Sequence, residues 1–179
     1  MGCKLTSNIT KENCNYSVAG VKALYLYNYD SGNTYTADPD TAAITAITLA
    51  DSAKAYKIDF VENTASFSDE LAVNGNGGKY RTHTANFTLS EYDYNILNQG
   101  DALSLGKFTA VVADKSGRVV VLGRTNGLSA TAFNYASGAA EADANGWTVT
   151  MAGTEMEIGR LLEIESVIKT IVDSTVVTP

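Results

Sequence analysis

The sequence predicts a mainly β protein: a β-sandwich or partly closed barrel with one flanking α-helix over about residues 90–104 and extended terminal arms. Three observations predict it. Ten Tyr, with many Thr and Val, favour pleated strands, and fifteen Gly against two Pro supply tight turns. Short apolar or alternating runs recur between turn signals, with no regular succession of βαβ units. At 179 residues and 45% hydrophobic, the chain suits one domain with a sizeable core and is not disordered throughout.

The elements follow in order. Residues 1–20 are polar and irregular and predict an N-terminal arm. Val21–Asn28 is rich in β-formers and predicts the first strand. Turns follow at Asp30-Ser31-Gly32-Asn33 and Asp38-Pro39-Asp40. The excursion over residues 29–54 is mostly Thr, Ala, Asp and Ser, and only residues 44–49 suggest a short strand in it. Loops of that length in compact domains are usually functional.

From residue 56 to 62 the chain alternates, placing Tyr56, Ile58 and Phe60 on one face. Residues 65–73 and 80–89 predict a hairpin around Asn74-Gly75-Asn76-Gly77-Gly78. On its return strand Arg81, His83, Ala85 and Phe87 alternate with Tyr80, Thr82, Thr84, Asn86 and Thr88, so one face meets water or a neighbour. Ser90 is the expected helix cap, with Tyr92, Ile96, Leu97 and Leu103 as the buried stripe and Gly100 and Gly106 marking its end.

Two apolar strips then flank Asp114-Lys115-Ser116-Gly117, a plain hairpin whose tip predicts a positive φ at Gly117. Asn126-Gly127 makes a further turn, residues 128–135 a strand, residues 136–146 a loop and residues 147–151 the last clear strand. In residues 155–172, Ile158, Leu161, Leu162 and Glu165 fit a helical period, whereas residues 167–172 fit a strand. The expected organisation is an arm (1–20), a single domain (21–158) and a C-terminal arm (159–179).

Several chemistries lack their residues. His83 is the only histidine, so no two-His metal site can be built and no Ser-His-Asp triad away from it, and its place between Thr82 and Thr84 reads as a strand histidine rather than a catalytic one. The glycines before Lys79 lack P-loop spacing, and Tyr80 stands where that loop needs Ser or Thr. Asp69-Glu70 and Glu155/Glu157 read as solvated carboxylates rather than a glycosidase pair. Asp30, Asp38, Asp40 and Asp51 lack EF-hand spacing. No enzyme activity, catalytic residue, metal or cofactor is expected.

The net charge of −7 argues against a dedicated nucleic-acid binder. No run is apolar enough for a transmembrane helix, so no membrane partner is expected, and the N-terminus lacks the apolar core of a signal peptide. Gly2 fits a myristoylation signal loosely. Cys3 and Cys14 cannot form a CxxC pair or complete a zinc site; two reduced thiols and a disulfide closing a small loop outside the cell both remain open.

The order of segments carries a resemblance. "MGCKLTSNITKENC…AGVKALYLYNY", the glycine-tipped hairpin and helix, "FTAVVADKSGRVVVLGRTNG" and "ASGAAEADANGWTVTMAGTEME" together resemble the tail tube-like (major tail) structural proteins of bacteriophages, especially those of phages of Bacteroidetes. The resemblance covers nearly the whole chain. It implies a virion protein, made in the host bacterial cytoplasm, that self-associates into rings, typically hexameric, and meets other virion proteins.

By that resemblance the sheets join into an inner wall, and rings stack through the 29–54 loop and the arms. The implied interface residues are Ile44, Ile47 and Leu49 in the loop, Tyr80 and Arg81 on the hairpin, and Leu161, Leu162 and Ile164 in the C-terminal arm. The loop is then expected to order on an adjacent subunit rather than on its own core. Six copies at −7 would carry −42, suited to a passive channel through which DNA slides without specific binding. A head–tail connector or capsid decoration protein on the same fold would also fit the Ala/Thr-rich excursion and the long C-terminal segment, and ten tyrosines would also suit a carbohydrate-binding β-sandwich.

Overall fold

The computed structural model describes residues 4–5, 7–10, 16–90 and 92–174. Cys3 and Cys14 lie outside the described residues. Among the described residues the fold is mainly β, 46% strand and 12% helical, with eleven strands in one sheet that does not close. The strands are Val21–Asn28 (β1), Thr34–Ala37 (β2), Ile44–Thr48 (β3), Tyr56–Ile58 (β4), Ser66–Val73 (β5), Lys79–Leu89 (β6), Lys107–Asp114 (β7), Val119–Leu122 (β8), Leu128–Ala136 (β9), Gly146–Glu155 (β10) and Arg160–Leu162 (β11). The helices are Tyr94–Leu105 (α1) and Ser166–Lys169 (α2).

β1, β7 and β8 form the centre because their sequences are apolar on both sides. Val111 pairs with Tyr25 and with Val121, and Val112 with Leu24 and with Val120. Along β7, Phe108, Ala110 and Val112 enter one core while Val111 and Ala113 enter another. A near-continuous apolar run is what a strand covered on both faces requires. The first core is closed by Ala85, Phe87 and Leu89 of β6, Val149 and Met151 of β10, and partly by Ile96 and Leu103 of α1. The second is closed by Ile44, Ile47, Leu49, Leu162 and Ile168.

The second core corrects two expectations. The 29–54 excursion is not left for a neighbour: β2 and β3 pair as a hairpin, and Ile44, Ile47 and Leu49 are 2%, 5% and 7% exposed within this chain. Three apolar side chains suffice for the inner side of a short hairpin, and the surrounding Thr and Ala take the outer side. Nor is the C-terminal segment an extended arm. β11 pairs antiparallel with β8 and parallel with β3, Ile168 is fully buried, and Ala55 bridges to Val172.

The 155–172 pattern resolves in the opposite sense to its periodicities. The helical spacing falls on β11 and the β-branched run opens with α2, because pairing to the edge of β8 overrides local propensity over such short stretches.

The helix also starts later than expected. Asp93 rather than Ser90 caps it, its side chain accepting from Ile96 N at 2.8 Å. Gly100 does not end the helix; it is buried mid-helix, where a Cβ would sit 3.5 Å from the Phe133 ring. Of the expected stripe, Ile96 and Leu103 pack on the core while Leu97 stays 45% exposed. Tyr92 lies ahead of the helix, stacked on Trp147 at 5.3 Å. The run over residues 56–62 shortens to β4, with Tyr56 half exposed. Gly117 has φ +88°, as its turn predicts.

Candidate functional site

Two features stand out once the sheet is assembled. The first is the outer face of the β5, β6, β10 and β9 layer. Directly opposed residues on antiparallel strands share a face. The register therefore aligns Glu70, Thr82 and Thr154; Ser68, Thr84 and Ala152; Ser66, Asn86, Thr150 and Ala132; and Thr88, Thr148 and Asn134. The opposite side of β6 carries His83, Ala85, Phe87 and Leu89 into the interior.

This outer face is rich in threonine, carries the Glu70 carboxylate, and holds no Lys or Arg at those positions. The Thr150 hydroxyl donates to Asn86 Oδ1 at 2.8 Å, so neighbouring strands are laced together by neutral groups. β5 is the last strand on its side of the sheet, and Leu71 and Val73 on it are 57% and 59% exposed.

The second feature is a line of ion pairs where β5, β6, the 123–127 turn and the 156–160 link converge. Arg81 donates from Nε to Asp69 Oδ1 at 2.6 Å and from Nη2 to the Asp69 carbonyl at 3.0 Å. Gly159 N donates to Asp69 Oδ2 at 2.9 Å. Glu157 accepts from Arg124 and Arg160, and the Arg124 guanidinium lies 5.2 Å from the Tyr35 ring centre. Glu155 is 1% exposed and accepts from the backbone amides of Thr125 and Asn126 at 3.1 and 2.8 Å.

Burial pushes the Asp69 and Glu157 carboxyls up, but the arginine hydrogen bonds and charges, joined at Asp69 by the Gly159 amide, together outweigh it and leave both below the usual carboxylate range. Burial first, and then the Glu165 hydrogen bond and charge, push the Tyr25 hydroxyl up to about 12. It donates to Glu165 at 3.0 Å and stays protonated there.

The candidate interface residues are therefore scattered. Ile44, Ile47, Leu49 and Leu162 are core residues and offer nothing to a neighbour. Arg81 is committed to Asp69. Tyr80 is half-buried and lines a shallow concavity of about 230 Å³ with Asn126, Thr154, Glu155 and Met156. Leu161 and Ile164 remain 50% and 56% exposed.

Sequence reasoning missed the ion-pair line. Asp69, Glu155 and Glu157 are not solvated carboxylates; each is mostly buried and partnered, while Glu70 is exposed. For Asp69 the signal was present as spacing, since Arg81 pairs with Leu71, two residues along β5 on the same face, but only the pairing reveals it. Among the described residues no group of three or more His, Cys, Asp or Glu side chains is placed to hold a metal ion, and no helix is long and apolar enough to cross a membrane. No protein-family model matches the chain, and no curated protein matches it.

Proposed function

We propose that the chain is a structural subunit of a bacteriophage tail tube-like assembly, in which copies form rings around a passive DNA conduit. The observation that carries the reading is the threonine-rich face of β5, β6, β10 and β9. A wall over which a polyanion must slide needs wettable, neutral or mildly acidic groups; a basic face would hold phosphates by counterion release. The aligned threonines and the net charge of −7 meet that need.

The open outer edge of β5, with Leu71 and Val73 bare beside it, supports extension of the same sheet into a neighbouring copy, because an unpaired edge is a ready template for pairing. Stacking is assigned to the N-terminal segment, where Leu5, Ile9 and Tyr16 are exposed at 85%, 89% and 101%. The 29–54 hairpin, packed on its own core, is no longer a stacking element.

Sedimentation and negative-stain microscopy of the full chain over a range of concentrations test the reading. Hollow rings or stacked tubes are expected, and a monomer at every concentration overturns it. A monomer retained on immobilised glycans would favour the carbohydrate-binding alternative instead.

A further inference from the structure

His83 is the one histidine of the chain, and it is 1% exposed. Its Nδ1 stands 3.2 Å from the backbone N–H of Gly123 as an acceptor, the arrangement that an imidazole carrying its proton on Nε2 makes. Nε2 lies 3.3 Å from Asp69 Oδ1 but is not aligned for a hydrogen bond, and among the described residues it has no other partner.

Gly123 is the corner at which the chain leaves the central β8 and enters β9. It has φ +70°, and a Cβ there would lie 2.6 Å from Leu128 Cγ. Its carbonyl is held by the Thr109 hydroxyl at 3.0 Å and by Gly127 N at 3.1 Å, while His83 takes its amide.

A protonated imidazole has donors on both nitrogens and can no longer accept. The Gly123 amide would then face another N–H in the interior, while the new charge is drawn to Asp69 on the ring's other side. We propose that His83 is an acid-responsive pin: protonation releases the Gly123 amide and loosens the corner joining the two layers of the sheet.

The charged groups around the ring permit this. On β5, Asp69 stands directly opposite His83, and Arg81 on β6 already occupies one of its oxygens. β10 places Gly153 opposite the ring, so no side-chain charge comes from there, and Glu155 is taken by the Thr125 and Asn126 amides. Arg124 from the turn and Arg160 from the link are both held by Glu157. Among the described residues, Asp69 is the one carboxylate within 4 Å of the ring nitrogens.

The experiment follows the full-length protein through the pH 5–8 range in which histidines ordinarily change charge. The charge of His83 is read from its side-chain nitrogen shifts, which need no assignment because the chain has one histidine. Hydrogen exchange at Gly123 and its neighbours is read in parallel, corrected for the intrinsic pH dependence of exchange. Protection there should fall by about tenfold as the ring becomes charged, the loss expected for one buried hydrogen bond.

His83→Asn places an amide oxygen where Nδ1 stands but does not titrate, and its corner should keep constant protection. Charging of His83 without any change at Gly123, or an equal fall of protection in His83→Asn, overturns the proposal. Should that variant fail to fold, the wild-type protein decides alone: ring charge and Gly123 protection must change at the same pH.

Discussion

Arg124 and Glu157 meet as a two-pronged pair, Nε lying 2.5 Å from Oε1 and Nη2 2.7 Å from Oε2. The guanidinium fork matches the carboxylate in plane and direction. The pair joins the turn after β8 to the link before β11, and Arg160 adds a third bond at 3.1 Å. Its side chains are 32% and 15% exposed, so solvent screens it only in part.

Arg124→Met keeps most of the aliphatic stem and removes the fork. It should lower stability by about 1–2 kcal/mol, because a partly buried charged hydrogen bond exceeds a surface ion pair. Lys57→Met breaks the Lys57–Asp59 contact, whose side chains are 54% and 87% exposed, and should leave the denaturant midpoint within error. Equal effects of the two substitutions would remove the special status of the Arg124 pair.

Gly153 and Gly117 separate two reasons for a glycine. At Gly153 a Cβ would lie 2.2 Å from the Gly127 carbonyl oxygen, so the turn could not close over β10. At Gly117 nothing lies within 4 Å, and only the φ of +88° resists a side chain. Gly153→Ala should therefore cost about 3 kcal/mol as overpacking, against about 1 kcal/mol for Gly117→Ala as backbone strain. Paired urea melts give both values, and a milder Gly153→Ala would mean that the 123–127 turn moves freely.

The central hairpin was legible because β7 and β8 carry their apolar runs and their turn in one contiguous stretch, and the structure places Gly117 where the turn requires it. The first strand, β5, β6 and the helix were legible for the same reason of local pattern. What escaped depends on long-range pairing. Leu162 reads as helical by spacing, yet its neighbours across the sheet are Val119 and Ile44, far away in sequence. Ile44 and Ile47 sit in a polar segment whose average hides them, and only the hairpin with β2 turns them to one side. The ion-pair line was hidden because Asp69, Arg124 and Glu157 belong to different elements.

Asp69 links stability to pH with a definite sign. Its folded carboxyl is held below the usual range by Arg81 and Gly159 against the opposing effect of burial. A depressed folded value contributes stability that is present above the unfolded carboxylate's value of about 4 and is lost as pH falls through the folded value. Asp69→Asn should cost about 1–3 kcal/mol at pH 7, and the gap from wild type should close below about pH 4. Guanidinium melts at several pH values check it. A gap that stays constant with pH would mean that Asp69 acts through shape and not charge.

The two ends of the chain should behave oppositely when cut. Val18 is anchored at the N-terminal end: its amide donates to the Ser116 hydroxyl, which donates back to the Val18 carbonyl, both at 2.9 Å. Before it, Leu5, Ile9 and Tyr16 touch solvent, so their burial contributes nothing to this fold. Removing residues 1–17 should leave the melting temperature within a few degrees of wild type. If the tube reading holds, the same cut should abolish stacking, because a subunit covers those side chains only in an assembly. Removing residues 160–179 strips Leu162 and Ile168, which are 4% and 0% exposed, and unpairs β3 from β11. Two large core side chains lost at about 2–5 kcal/mol each, together with the lost β11 pairing, rival the about 5–15 kcal/mol that keeps a domain folded. That truncation should not fold. Melting and negative stain on both truncations decide the matter: an N-terminal cut that melts the fold, or leaves assemblies intact, would return those residues to the core or strip them of a stacking role.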